Sequence, residues 1–237
     1  MHTELSKGAI FLIPTFLHES AIHVLPFYIV DAVEKCNVFF VENERSARRY
    51  LKQLKKEIVI DDYEWFTIGK AEDNIAQQFR QKIKEGKTIG IISEAGCPGV
   101  ADPGQLLVEA AQELGAKVVP LVGPSSMLLA LMASGMNGQQ FSFVGYLPIN
   151  NHERNKTIRE LEAESKKKNS TQIFIETPYR NNQLLESLLK NCQPQTKLCV
   201  AANITAPDEY IKTKTIAQWK KESIDLHKKP AIFLLKG

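Results

Sequence analysis

No stretch of this sequence approaches the ~18–20 consecutive apolar residues needed to cross a bilayer. Its first residues, Met1 to Lys7, lack the basic segment, apolar run and cleavage site of a secretory leader, so a cytoplasmic protein without a membrane segment is expected. Cysteine is scarce, and Cys36, Cys97, Cys192 and Cys199 form no C-x-x-C pair. None of His2, His18, His23, His152 and His227 belongs to an H-E-x-x-H pair, which leaves zinc and disulfide scaffolds without support, and no metal is expected. The polyphosphate cradles G-K-S/T and G-x-G-x-x-G are missing as well. Charge of one sign is not in excess, with 30 Lys+Arg against 27 Asp+Glu and a formal net charge of +3, so the total does not announce a nucleic-acid partner. Internal repeats and low-complexity segments are absent.

What is present describes a globular protein: 237 residues, 43% hydrophobic and 24% charged, enough to build a core without staples and intermediate between one large domain and two modest ones. Short aliphatic runs at Ala9–Ile13, Val38–Val41, Glu57–Ile60, Thr88–Ile92 and Lys117–Leu121 read as strands. Helical patterns at Arg45–Leu54, Asn74–Glu85 and Gln105–Leu114 separate them. Strands apolar throughout, alternating with helices, predict a mostly parallel sheet covered on both faces. After Gly123 an apolar helix at Ser125–Ser134 leads to a strand at Gln140–Val144 and a polar, basic stretch through Lys168. Strands near Gln172–Ile175, Lys197–Ala201, Tyr210–Thr213 and Ala231–Leu235 then predict a second, mixed α/β unit. The boundary is placed between Leu121 and Ser125, giving domains 1–122 and 123–237.

Three strand-end loops could carry chemistry. The segment Thr88 to Gly104 is a buried strand running into small residues, which let a ligand approach the backbone closely. It holds Glu94 and Asp102 and no basic residue, a pattern that repels phosphate and suits ribose hydroxyls, an ammonium group or another cation. Asp102-Pro103 also reads as N-cap and first residue of the next helix, and Gly96 and Gly99 as a tight turn. A second loop, Val118 to Ser126, ends in Ser125 and Ser126, which either cap the following helix or line a pocket. Two such loops beside a domain boundary predict a small-molecule site in the interdomain cleft. The third loop, Ile13 to Glu19, carries His18 without any nucleophile motif and reads as a surface or capped residue.

The near-neutral total conceals a basic helix. At about 100° per residue, Arg45, Arg48, Arg49, Lys52, Lys55 and Lys56 fall within an arc of roughly 120°, opposite Ala47, Tyr50, Leu51 and Leu54. This segment contributes six positive charges, and +3 less six leaves −3 for the rest of the chain. The stripe is either a solvated amphipathic face or a phosphate-contacting surface for RNA.

Read in order, Ser93-Glu-Ala-Gly-Cys-Pro-Gly-Val-Ala-Asp-Pro-Gly104, Pro120-Leu-Val-Gly-Pro-Ser125, Phe143-Val-Gly-Tyr-Leu-Pro148, Glu176-Thr-Pro-Tyr-Arg180 and the terminal Lys236-Gly237 resemble the tetrapyrrole-methylase-like class of S-adenosylmethionine methyltransferases. Within that class they are most similar to the ribosomal RNA small subunit methyltransferase I group, which methylates a ribose 2′-oxygen. The resemblance covers nearly the whole chain. It implies two α/β domains, S-adenosylmethionine folded into the cleft between them, and a homodimer engaged in rRNA processing on the small ribosomal subunit. By motif position, the cofactor contacts would be Pro14, Ser93, Glu94, Ala95, Gly96, Val100, Ser125, Ser126, Tyr146, Leu147, Pro148 and Glu176. Substrate RNA would meet Arg45, Arg48, Arg49 and Lys52. Three departures lie on the acceptor side: Pro14-Thr-Phe-Leu-His-Glu19 where the group has P-T-P-I-G-N, Glu42-Asn-Glu-Arg45 for E-D-T-R, and Ala202-Asn-Ile-Thr-Ala206 for R-E-L-T-K.

Methyl transfer from a sulfonium is an in-line displacement, in which the protein mainly aligns the acceptor. Glu42, ending a strand beside the basic helix, is the candidate base for a hydroxyl acceptor; the other reading is an acid answering the helix dipole or Arg45. Two alternatives to RNA methylation stand: methylation of a tetrapyrrole or other small molecule, and a catalytically silent RNA- or cofactor-binding module.

Overall fold

The computed structural model describes residues 8–69 and 72–237. The chain divides into two compact units that part at Ser125 and Ser126. In the first, strands β1 (Ile10–Ile13), β2 (Val38–Val41), β3 (Glu64–Thr67), β4 (Ile89–Ile92) and β5 (Val118–Pro120) form a sheet in the order β3-β2-β4-β1-β5. Every pairing is parallel, and β2 and β4 are buried along their whole length. Alternate residues serve opposite faces. Ile10, Val38, Phe40, Ile89 and Ile91 join one core, beneath α3 (Glu72–Lys84) and α4 (Gly104–Glu113). Ile13, Phe39, Val41 and Ile92 join the other, beneath α1 (Tyr28–Lys35) and α2 (Glu44–Leu54).

The edge strand differs from expectation. Glu57–Ile60 is not a strand: Ile58 is buried, Val59 is 55% exposed, and Ile60 opens a 3-10 turn at Ile60–Asp62. The strand is instead Glu64–Thr67, whose aromatic residues oppose those of β2 in register, Trp65 on Phe39 and Phe66 on Phe40. Their rings stack at centroid distances of 5.0 and 4.8 Å. Two cross-strand aromatic pairs, each worth roughly 0.2–1 kcal/mol beyond alanine, outweigh the β-branched run that lacks a partner.

The second unit holds a mixed sheet in the order β6-β7-β10-β8-β9, with β6 (Phe141–Tyr146) parallel to β7 (Thr171–Ile175). The pairings among β8 (Lys197–Ala202), β9 (Tyr210–Thr215) and β10 (Ala231–Lys236), and that of β10 with β7, are antiparallel. Helices α5 (Ser126–Ser134), α6 (Asn151–Lys168), α7 (Asn181–Asn191) and α8 (Ile216–Trp219) complete it. The polar, basic stretch ending at Lys168 is therefore one long helix. It buries Arg154, Ile158, Leu161, Glu162 and Ser165, a helical spacing in which three of the five residues are polar. Each polar member is bonded: Arg154 donates to Ile149 O at 3.0 Å and Ser187 Oγ at 3.2 Å, Glu162 accepts from Gln193 N at 2.7 Å, and Ser165 Oγ donates to Ser170 O at 2.6 Å. Among the described residues no helix is long and apolar enough to cross a membrane.

Candidate active site in the first unit

After β2 the chain turns toward β3 at one edge of the parallel sheet, and after β4 it turns toward β5 at the other. The loops leaving these two neighbouring strands diverge and open a crevice beyond their carboxyl ends. A cavity of about 200 Å³ lies there. Asn43, Ser46, Arg49, Tyr50 and Gln53 line it from the β2 side, Ser93 and Glu94 from β4, and Thr15, Phe16 and Glu19 from β1.

Backbone contacts fasten the loops to one another. Thr15 N donates to Gly96 O at 2.9 Å, and buried Thr15 Oγ1 donates to Ser93 O at 3.3 Å. Gly96 has φ +74, and a Cβ there would lie 3.1 Å from Pro124 O. At Gly123 the approach is closer still, since a Cβ would come within 2.1 Å of Pro14 Cβ. Buried Tyr50 donates from its hydroxyl to Pro14 O at 2.6 Å and sets its ring edge-on to Phe16 at 5.7 Å; burial raises its phenol pKa. The structure thus brings Pro14, Ser93 and Gly96 together with the segment leading to Ser125. Glu94 and Ala95 stand exposed on the same loop, and Val100 is 49% exposed farther along it. Beside this loop a second cavity, of about 350 Å³, has a mainly apolar wall that includes Leu12, Cys97, Val100, Val108 and Leu121.

The sequence motifs assign no site role to Tyr50, Asn43 or Gln53, and reach Thr15 and Phe16 only as part of the loop after Pro14. Tyr50 was placed on the apolar face of α2, where it lies; its reach to the loop after β1 depends on how helix and strand meet, which spacing does not encode.

The carboxylates are largely engaged by the backbone. Glu42 accepts the Glu94 N–H at 2.9 Å through Oε1, and its Oε2 makes no hydrogen bond among the described residues. Burial raises the Glu42 pKa above its ordinary value; the Glu94 N–H opposes this, while the nearby charges of Asp102 and Glu94 add to it. Asp102 accepts from Gly99 N at 2.9 Å and Gly104 N at 2.8 Å. The helix starts one residue later than expected, with Pro103 at the N-cap position, yet Asp102 still satisfies its first amide. Burial raises the Asp102 pKa too, against the lowering effect of those two amides. Its hydrogen bonds hold a turn in which Ala101 adopts φ +60. His18, in the third loop, accepts the Ser20 N–H through Nδ1 at 3.3 Å, a local cap.

The basic helix is shorter than its charge pattern. It ends at Leu54, and Lys55 takes extended dihedrals of φ −156 and ψ 117, so Lys55 and Lys56 leave the stripe. Arg48 is occupied: Glu44 lies at 2.7 Å, Asp61 at 3.6 Å, and the guanidinium sits 5.2 Å from the centre of the Trp65 ring. Lys55 pairs with Glu34, and Lys52 Nζ donates to Lys56 O at 2.9 Å. Arg45 and Arg49 are exposed and enter no ion pair among the described residues, and Arg49 lines the cavity.

In the second unit Tyr146 ends β6 directly opposite Ile175, which ends β7. The segment Tyr146-Leu147-Pro148 and Glu176 therefore emerge at the same end of two neighbouring strands. Tyr146 is 61% exposed and Leu147 is buried. Buried Glu176 accepts from Thr177 N at 2.6 Å and pairs with Arg180 at 2.7 Å, which commits one oxygen internally. Ser126 begins α5, and Ser125 directly precedes it. Among the described residues no group of three or more His, Cys, Asp or Glu could hold a metal ion.

The sequence profile of the tetrapyrrole (corrin/porphyrin) methylases matches residues 25–220. Among curated proteins, the ribosomal RNA small subunit methyltransferase I of Buchnera aphidicola subsp. Schizaphis graminum is 27% identical over 231 residues, covering 96% of this chain and 78% of its own length. That of Vibrio cholerae is 29% identical, covering 88% and 70% respectively, and that of Escherichia coli O157:H7 is 30% identical, covering 70% and 58%. Among solved structures, the methyltransferase CobJ aligns with a TM-score of 0.65 at 16% identity, over 98% of this chain and 95% of its own. A diphthine synthase aligns with a TM-score of 0.64 at 14% identity, over 97% and 89%.

Proposed function

The chain belongs to the tetrapyrrole methylase family and is a methyltransferase; from that membership we propose that its donor is S-adenosylmethionine and its acceptor a ribose 2′-hydroxyl of small-subunit ribosomal RNA. The residues present fit the donor. The loop Ser93–Gly104 offers an exposed carboxylate at Glu94, no cation, and an apolar cavity of about 350 Å³ beside it, within the roughly 300–1,000 Å³ of small-molecule sites. Glu94 with the backbone of Ser93, Ala95 and Gly96 would hold the amino-acid and ribose portions, and Val100 the base. In the second unit Ser126, Tyr146, Leu147, Pro148 and Glu176, with Ser125, are the further contacts this reading assigns. When bound, the cofactor supplies an electrophilic methyl on a positively charged sulfur.

The observation that carries the acceptor reading is the cavity of about 200 Å³, lined by Glu94 and by Arg49, which enters no ion pair among the described residues. Its lining, with Thr15, Asn43, Ser46, Ser93 and Glu94 beside Arg49, offers hydrogen-bonding groups for a sugar and a cation for its phosphate. Arg45, Arg49 and Lys52 answer the flanking phosphates. Glu42 is the base this reading assigns: it does not line that cavity, but its Oε1 holds the amide of Glu94, which does, and its Oε2 is left to take the proton of the attacking hydroxyl. Tyr50, through Pro14, holds the loop that bears Thr15 and Phe16. Acting on ribosomal RNA implies a cytoplasmic location, and the family resemblance a homodimer.

The test is incubation of the protein with methyl-labelled donor and small ribosomal subunits lacking the modification, followed by mapping of the label. One labelled ribose is expected; absence of transfer to any RNA ends the acceptor claim. Calorimetric titration with the donor tests the cofactor separately, and no binding would remove it.

A further inference from the structure

The second unit presents an aromatic and basic surface that the site described above does not use. Tyr179 is 69% exposed on the loop after β7, three residues beyond Glu176, with its ring edge-on to His227 at 5.8 Å. Two loops are fastened together beneath it. Lys228 N donates to Pro178 O at 3.0 Å, Asn181 Nδ2 to Lys229 O at 2.7 Å, and Leu226 N to Asn182 Oδ1 at 2.8 Å. Asp225 is engaged inside the same network, its Oδ1 accepting from Asn182 Nδ2 at 2.8 Å and from His227 N at 2.9 Å. His227 and Lys228 are exposed, and Lys228 sits at φ +61, a conformation that disfavours a lysine by about 1 kcal/mol. Arg180 below is locked to Glu176.

A tyrosine this exposed contributes little to the core, yet its ring rests on His227 and the network ties its neighbours Pro178 and Asn181 to the backbone of Lys228 and Lys229. We propose that this surface is a platform for single-stranded RNA, with an unpaired base stacked on Tyr179 and an adjoining phosphate held by Lys228. Aromatic faces accept any base, and the neighbouring cations answer the backbone, which is the chemistry of unpaired RNA rather than of a duplex. Lys228 and Lys229 outnumber Asp225, whose carboxylate already serves the loop, so the charge of the surface favours a polyanion. The proposal rests on the RNA reading above and extends it to a second contact region.

The test uses the full chain and labelled single-stranded oligoadenylate of about twelve nucleotides, with an abasic strand of equal length, read by fluorescence anisotropy. Tyr179→Ala should weaken oligoadenylate binding roughly 5- to 100-fold and leave the abasic strand unaffected, while Tyr179→Phe keeps native affinity. Lys228→Gly removes the charge and suits the backbone conformation; it should flatten the salt dependence by about 0.7 in log–log slope without lowering the melting temperature. If Tyr179→Ala and Lys228→Gly bind oligoadenylate like the native chain while Arg45→Ala plus Arg49→Ala weakens it, the platform is wrong and the RNA acceptor stands. If the native chain binds neither strand, the platform is wrong, and the acceptor reading stands or falls separately on methyl transfer to the small ribosomal subunit.

Discussion

Two charged elements meet at the cavity of the first unit, and they use their charges differently. Two acids of the β2 and β4 loops serve the backbone, Glu42 holding the Glu94 amide and Asp102 those of Gly99 and Gly104, while the Glu94 carboxylate stays exposed. The cations of α2 divide, with Arg48 captured by Glu44, Asp61 and Trp65, while Arg45 and Arg49 face solvent. The sign of a segment therefore says less about its partner than the list of charges already satisfied inside the fold. On this comparison the acidic loops are mainly architecture, with one oxygen of Glu42 and the exposed carboxylate of Glu94 left free, and the proposed phosphate surface of the basic helix has lost Arg48, Lys55 and Lys56.

The largest effect tests that free oxygen. Glu42→Gln keeps the acceptor for the Glu94 amide but removes the base, so methyl transfer should drop by about 100-fold or more while the protein stays folded. An undiminished single-turnover rate would return Glu42 to a purely structural role. Because burial raises its pKa, the acid limb of the rate profile should lie above the usual glutamate range. The folded state holds that proton more tightly than the unfolded chain does. The stability contributed by this group therefore falls as pH rises between the ordinary and the raised value, and Glu42→Gln removes that decline.

Next in size is Asp102→Ala, which strands two partly buried amides and loosens the turn at Ala101. A loss of roughly 1–3 kcal/mol in urea unfolding is expected, with weaker donor binding. If donor affinity is kept, the loop is not held by Asp102. Tyr50→Phe deletes one buried hydrogen bond to Pro14 O, and roughly 1 kcal/mol of stability should go with it. A rise in KM for RNA at unchanged donor affinity would place its influence on the acceptor side, and equal changes in both would contradict that placement. The smallest effects compare free with captured cations. Arg45→Ala plus Arg49→Ala should flatten the salt dependence of RNA binding by about 1.4 in log–log slope, whereas Arg48→Ala should leave it unchanged. A shift with Arg48→Ala would erase the distinction.

Much of the first sheet was legible because β2 and β4 are buried on both faces, and their runs Val38–Val41 and Ile89–Ile92 carry no polar residue. The edge strand was not, since its stability comes from aromatic partners on β2 rather than from its own sequence. Helix α6 was hidden by the polarity of Arg154, Glu162 and Ser165, whose burial depends on Ser187, Gln193 and Gly237, far along the chain. For α7 the signal was present, as Leu184, Leu185 and Leu188 recur at helical spacing. At the site, the strand-end loops could be read from their small residues, while Arg48 and Arg49 could not be told apart. Their difference is set by Asp61 and Trp65, contributed by a different part of the chain.

The close approach of Gly123 to Pro14 has a bearing on how this protein can be altered. Thr15 lines the cavity proposed for the acceptor, yet it also bonds the backbone of Ser93 and Gly96, which lie in the loop proposed to hold the donor. Substitutions in these segments share partners, so their effects will not sum, and double-mutant cycles should give coupling energies of about 0.5–3 kcal/mol. A change of acceptor therefore needs more than single steps in one loop: the route is paired substitutions that move the loops after β1, β4 and β5 together.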